Sequence, residues 1–192
     1  LTGATLTGTA AGNYSLTSAP TTTADISKAS ATVNVLGYTG TYNAAAHGAT
    51  GTATGVGGVD LSGGLSLGAS FTNAPGGTAN WTFSGGTNDT DQGGSGAIVI
   101  AKASATVNVL GYTGTYDAAA HGATSGGVTG VAGDLAASGG VLTLGSESFT
   151  NAPGGIATWT FSGGTNYTDK SGSVAIVITK ATVTITGNGL NG

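Results

Sequence analysis

Apolar and polar side chains alternate with a period of two along much of this chain, as a strand with one buried face requires. Leu65, Leu67, Ala69 and Phe71 are separated by Ser66, Gly68 and Ser70, while Trp81 and Phe83 alternate with Asn80, Thr82 and Ser84. Val33 and Val35 mark an opening strand, and Ile98 with Ile100, like Ile176 with Ile178, mark closing strands. Gly-Gly pairs and Asn-Ala-Pro-Gly-Gly interrupt these runs at roughly the 8 to 12 residue spacing of an all-β sandwich. The pattern predicts an all-β fold with about seven strands per module. Trp81, Phe83, Trp159 and Phe161 are its expected core anchors.

The alternation is itself repeated. Lys28 to Tyr42 reads KASATVNVLGYTGTY and returns letter for letter at Lys102 to Tyr116; AAAHGAT at Ala44 returns at Ala118, both 74 residues on. SFTNAPGG at Ser70 and WTFSGGTN at Trp81 return at Ser148 and Trp159, 78 residues on. Four residues are therefore gained between Thr124 and Ser148, in a stretch that must hold loops tolerant of length change. Within it LTLGSESF is one residue longer than LSLGASF, and a β-bulge near Gly145 is expected to absorb the difference so that Phe149 keeps facing the core.

Lys-Ala follows an apolar run three times, at Lys28, Lys102 and Lys180, which are the expected module junctions. No Pro-, Ser- or charge-rich linker separates the blocks, so neighbours should be closely coupled. The divisions this suggests are 1–27 as the closing part of a preceding repeat, 28–101 and 102–179 as two complete modules, and 180–192 as the opening strand of another. The chain thus reads as a piece of a longer or processed polypeptide. A module of about 75 residues buries little surface alone and should lean on its neighbours.

Composition narrows the chemistry. The 192 residues include 38 Gly, no Cys and no Met, and only 6% are charged. Gly follows no Gly-X-Y period, which excludes collagen. Four lysines, Lys28, Lys102, Lys170 and Lys180, stand against eight acids with no arginine, for a formal net charge of −4, so nucleic acid is not an expected partner. No apolar run approaches the ~20 residues of a spanning helix, so direct membrane insertion is not expected either.

Gly37-Tyr38-Thr39-Gly40-Thr41-Tyr42, the AAAHGAT segment, FTNAPGG, WTFSGG and the closing Ile-Val-Ile-x-Lys-Ala together resemble the mostly bacterial glycine-rich (MBG) repeat. Ala11-Gly12-Asn13-Tyr14-Ser15-Leu16 with Thr23-Ala24-Asp25-Ile26 looks like the end of the companion repeat named for Tyr-Asp-Gly. The resemblance implies tandem immunoglobulin-like sandwiches in long bacterial surface or secreted adhesins, acting as spacers without catalytic residues. Tyr42-Asn43-Ala44 and Tyr116-Asp117-Ala118 depart from Tyr-Asp-Gly, which leaves the turn type there open.

Candidate chemistry is thin. His47 and His121 are equivalent positions expected to lie a module apart, too far to share a metal, and each reads as a polar residue near a strand end. Asn88-Asp89-Thr90-Asp91-Gln92 has a trace of a calcium loop, but the second copy, Asn166-Tyr167-Thr168-Asp169-Lys170, keeps one acid, so a solvated turn is expected. Neither histidine has a partner that the sequence nominates as a triad acid. Junction lysines raise the idea of Lys-to-Asn isopeptide bonds, yet Glu147, the only glutamate, has no counterpart in the first copy. Exposed Trp81 and Trp159 would suit sugar stacking, but their phase with Phe83 and Phe161 favours the core.

No enzyme, no metal and no cofactor is expected. The expected role is a stalk or spacer in an extracellular, cell-surface protein, with a self-assembling filament completed by strand exchange, or a glycan-binding module, as alternatives. Expected partners are neighbouring repeats of the same chain or of identical chains. Host or matrix glycan would be bound through domains outside this segment.

Overall fold

β-branched residues at alternate positions give both repeats the same succession of strands. In the computed structural model, which describes residues 5–16, 23–133, 135 and 139–187, the first repeat carries Thr32–Leu36 (β1), Tyr38–Thr41 (β2), Thr50–Thr54 (β3), Leu65–Ser66 (β4), Gly76–Phe83 (β5) and Gln92–Ala101 (β6). The second carries Thr106–Leu110 (β7), Tyr112–Thr115 (β8), His121–Gly122 (β9), Thr124–Thr129 (β10), Val141–Leu144 (β11), Ser148–Phe149 (β12), Gly154–Ser162 (β13) and Lys170–Thr179 (β14). The chain is all-β and sandwich-like. Strand numbers are six and eight where about seven were expected, because the His47 to Phe71 pairing of the first repeat is a single bridge where the second has β9 and β12.

Each opening strand is cut in two by a glycine, and its halves join different sheets. β1 pairs antiparallel with β3, whereas β2, one residue later, pairs parallel with β6 in the sheet ordered β2-β6-β5-β4. A Cβ at Gly37, the residue between them, would run into the Ala97 carbonyl oxygen, so only glycine lets the chain cross this close to β6. The second repeat copies the device: β7 pairs with β10, β8 runs parallel to β14 in the sheet β11-β13-β14-β8, and Gly111 crosses against the Ala175 carbonyl. A side chain from the start of each closing strand ties the two sheets: Gln92 Nε2 donates to the Ala31 carbonyl at 2.8 Å, and Lys170 Nζ takes the same place on Ala105.

Many of the glycines are seats for aromatic rings. Trp81 lies over its cross-strand partner Gly94, and Trp159 over Gly172, with the indole 2.7 Å and 2.6 Å from where a Cβ would stand. Phe71 covers Gly77, Phe149 covers Gly155, Tyr38 lies along its own strand over Gly40, and Tyr112 over Gly114. A Cβ at any of these positions would displace the ring, which ties the glycine content of the strands to the packing of the aromatics.

Two buried clusters are internal to one repeat: Ala31, Ala53 and Phe83 in the first, and Ala157, Ile176 and Ile178 with Phe149 against them in the second. A third contains Tyr42, Ala74, Ile98 and Ile100 from the first repeat together with Ala103, Ala105, Phe161 and Tyr167 from the second. Among the described residues no sheet takes strands from both repeats, so this cluster joins them through side chains alone.

Two local expectations are corrected. The run Leu65 to Phe71 is no single strand: Leu65 and Ser66 pair in β4, the chain turns at Gly68 (φ 79°), Ala69 is exposed, and Phe71 pairs separately with His47. The extra residue before Phe149 makes no bulge at Gly145; β11 ends at Leu144, and Phe149 reaches the core as part of β12 on a different sheet. A register shift is present elsewhere, between Ser125 and Gly127, where Gly126 is the added residue. Gly111→Ala should destabilise the chain by about 1–3 kcal/mol, the cost of forcing an atom into filled space. Gly63→Ala, with nothing within 4 Å of the new Cβ, should stay within about 0.5 kcal/mol; urea unfolding of the two variants checks the difference.

Candidate functional site

The clearest constellation in the molecule is the place where the repeats meet. The turn between β13 and β14 projects Asn166 and Tyr167 against the end of the first repeat. Tyr167 is 0% exposed and Asn166 3%. The Tyr167 ring meets Tyr42 edge to face at 5.7 Å between centroids and 78° between planes, the geometry the ring quadrupoles favour. Its hydroxyl accepts the Val131 N–H at 2.6 Å over Gly130, so the polar end of the ring is satisfied inside its own repeat. Asn166 Oδ1 accepts the Ala74 N–H at 3.0 Å and its Nδ2 donates to Asn73 Oδ1 at 2.9 Å. The backbone that links the repeats is fixed beside them: Tyr42 N–H donates to Ala101, Ala103 N–H to Asn166, and Thr168 N–H to Ala103.

A second constellation recurs in each repeat. His47 stacks on Tyr38 at 3.9 Å and 7°, and His121 on Tyr112 at 3.6 Å and 8°. The ring Nε2 then bonds Asn43 Oδ1 at 2.8 Å in the first repeat and Asp117 Oδ1 at 3.0 Å in the second. The hydrogen bond from His121, with the Ala119 N–H, holds the Asp117 carboxyl below its ordinary value. The same Asn or Asp side chain accepts the backbone N–H two residues on, which closes a turn whose next residue is left-handed: Ala44 at φ 64° and Ala118 at φ 65°. That is the position where the Tyr-Asp-Gly pattern would put glycine. The histidines are therefore packed and bonded within their own repeats.

Lys28 and Lys102 send their amines to the Gly86 and Gly164 carbonyls, the latter at 2.6 Å, and so pin each repeat's first residues to its own β5–β6 or β13–β14 turn. Lys180 is exposed after β14. Of the expected core anchors, Phe83 and Phe161 are buried at 2% and 1% exposure, whereas Trp81 and Trp159 are half-buried on their glycine seats. The Asn88 to Gln92 segment is not a solvated turn throughout. Asp89 is 8% exposed and its Oδ1 is buried without a partner, while Asp91 Oδ1 accepts the Gly85 N–H at 2.9 Å. Among the described residues no group of three or more His, Asp or Glu stands together as a metal site, and no helix is long and apolar enough to cross a membrane.

The residues that build the junction, Tyr42, Asn73, Ala74, Asn166 and Tyr167, are not singled out by pattern. The one signal in the sequence is the change from Asn88-Asp89 to Asn166-Tyr167 between otherwise matching blocks. Against known proteins, no family model matches the chain and no curated protein matches it.

Replacing Ala118 with glycine removes a left-handed alanine, worth about 1–2 kcal/mol, against the ~0.5–1 kcal/mol that glycine adds in chain entropy. Ala118→Gly should therefore raise stability by about 0.5–1 kcal/mol in denaturant titration. A loss of stability would show that the turn is not under this strain.

Proposed function

We propose that this chain is a non-enzymatic spacer, a run of immunoglobulin-like sandwich modules stacked end to end in a bacterial cell-surface or secreted adhesin or matrix protein. The observation that carries this reading is the buried Tyr42–Tyr167 and Asn166–Ala74 junction, which makes the angle between successive modules a packed contact and not a flexible linker. Module boundaries at 28–101 and 102–179 agree with it, since among the described residues every strand pairs within its own block and only side chains cross. The likeness of the Gly-Tyr-Thr-Gly-Thr-Tyr, FTNAPGG and WTFSGG segments to MBG repeats supports the bacterial surface assignment. A surface of Thr, Ser, Asn and Gly with 6% charged residues suits an extracellular coat with little unspecific electrostatic attraction.

One observation favours a second reading, a filament formed by strand exchange. Val183 and Ile185 alternate with threonines like an opening strand and are 86% and 89% exposed. The two readings separate in small-angle scattering of the intact chain. Closing strands of 10 residues rising ~3.3 Å each give two stacked modules about 70 Å long. The spacer reading predicts that length with the mass of one chain at all concentrations, and a broader distance distribution in Tyr167→Ala. A filament would gain mass with concentration, and modules lying side by side would give a markedly shorter particle.

A further inference from the structure

The end of the second repeat is a copy of a surface that the first repeat has already buried. Tyr42, Asn73 and Ala74 lie under Asn166 and Tyr167, with Tyr42 at 5% and Ala74 at 9% exposure. Their equivalents, Tyr116, Asn151 and Ala152, have the same backbone around them: Tyr116 N–H donates to Thr179 as Tyr42 N–H does to Ala101, and Gly154 N–H donates to Asn151 as Gly76 N–H does to Asn73. Yet Tyr116 is 42% exposed where Tyr42 is 5%, and Ala152 is half-buried where Ala74 is 9% exposed; Asn73 and Asn151 are both exposed at the rim. The chain leaves this face through Lys180-Ala181-Thr182-Val183-Thr184-Ile185, which repeats the Lys-Ala of residues 102–103 and continues in a Thr-Val-Thr-Ile alternation like the Thr-Val-Asn-Val of residues 106–109, without the intervening Ser-Ala.

We infer that Tyr116, Asn151 and Ala152 form a docking face for another module of this repeat type, one whose turn carries Asn-Tyr as Asn166-Tyr167 does, entering through Lys180-Ala181. This rests on the spacer reading and adds which module fits. The incoming asparagine accepts the Ala152 N–H at its Oδ1 and donates its Nδ2 to Asn151 Oδ1, as Asn166 does with Ala74 and Asn73, and the incoming tyrosine lays its ring against Tyr116. Its hydroxyl is satisfied in its own module, as Tyr167 is by Val131, so the ring arrives with its polar end already bonded.

The first repeat shows which turn does not fit. At the position of Tyr167 it has Asp89, at the back of a cleft lined by Ala29, Gly55, Val56, Val59 and Leu61. Asp89 keeps the strand bridge to Ala29 that Tyr167 keeps to Ala103, but it offers no ring, and its Oδ1 is buried without a partner. Covering that carboxylate with a neighbour's tyrosine face would remove it further from water with no cation to meet it. Asn-Tyr modules therefore stack behind one another, and an Asn-Asp module does not follow one of them. A junction of this size need only be weak, because the covalent link supplies an effective concentration on the order of millimolar.

The chain has no cysteine, so a single thiol reports the face. Ala152→Cys is placed in the full chain and in a chain extended from position 180 by a second copy of residues 102–179. Thiol labelling at this site should slow on the order of tenfold on extension, to the rate of Ala74→Cys in the unextended chain. Tyr167→Asp in the appended copy alone should restore fast labelling, with fluorescence of the added tryptophan showing that this copy is folded. Unchanged labelling on extension, with Ala74→Cys still slow, overturns the docking face and leaves the spacer reading standing. Equal protection by the Tyr167→Asp copy overturns the choice of Asn-Tyr turns. Fast labelling of Ala74→Cys in the unextended chain removes the junction itself and the spacer reading with it.

Discussion

The long-range order of this molecule depends on one turn of the second repeat being pressed against the end of the first. Each repeat is small, and small domains bury a limited share of their surface. The contact between the repeats adds a fully buried tyrosine, a T-shaped ring pair worth about 0.5–1.5 kcal/mol beyond its area, and two amide hydrogen bonds. Because Asn166 and Tyr167 also anchor the strand start at Ala103, the contact and the register of the second repeat are set by the same residues. Loosening one loosens the other.

A second constraint operates inside each repeat. Rings lie flat on glycines across or along the strands, and Gly37 and Gly111 let one strand serve two sheets. The abundance of glycine is thus specific in position. Within the strands it sits under Trp81, Trp159, Phe71, Phe149, Tyr38 and Tyr112, or at a crossing of backbones, where a side chain would collide, whereas loop glycines such as Gly63 face open space. Alanine at φ 64° and 65° in the Tyr-Asn-Ala and Tyr-Asp-Ala turns marks the opposite situation, a place that wants glycine and lacks it. The Asn or Asp before it compensates by accepting the N–H two residues on while its oxygen also holds the stacked histidine.

Strand positions were legible wherever alternation is tied to burial: Ile98, Ile100, Ile176, Ile178, Phe83 and Phe161 all face inward as their spacing requires. The repeat and its internal sheets follow from letter identity. The Leu65 to Phe71 run misled because alternation cannot show that a strand changes partner after two residues. The extra residue near Gly145 misled for the same reason. The junction was illegible for a deeper cause. Tyr42 and Tyr116 stand in local sequence that differs only at Asn43 and Asp117, yet one is 5% and the other 42% exposed. Their burial is decided by whether another module packs over them, and no local pattern carries that.

The most direct measurement of the coupling between the repeats uses the single tryptophan of each one. With Trp159→Phe leaving Trp81 as reporter, and Trp81→Phe leaving Trp159, urea unfolding of each repeat is followed separately in the full chain. Coupled repeats should unfold with coincident midpoints, and adding Asn166→Ala to both variants should separate them. Midpoints already separate with Asn166 present, or coincident midpoints that Asn166→Ala leaves in place, would contradict the account.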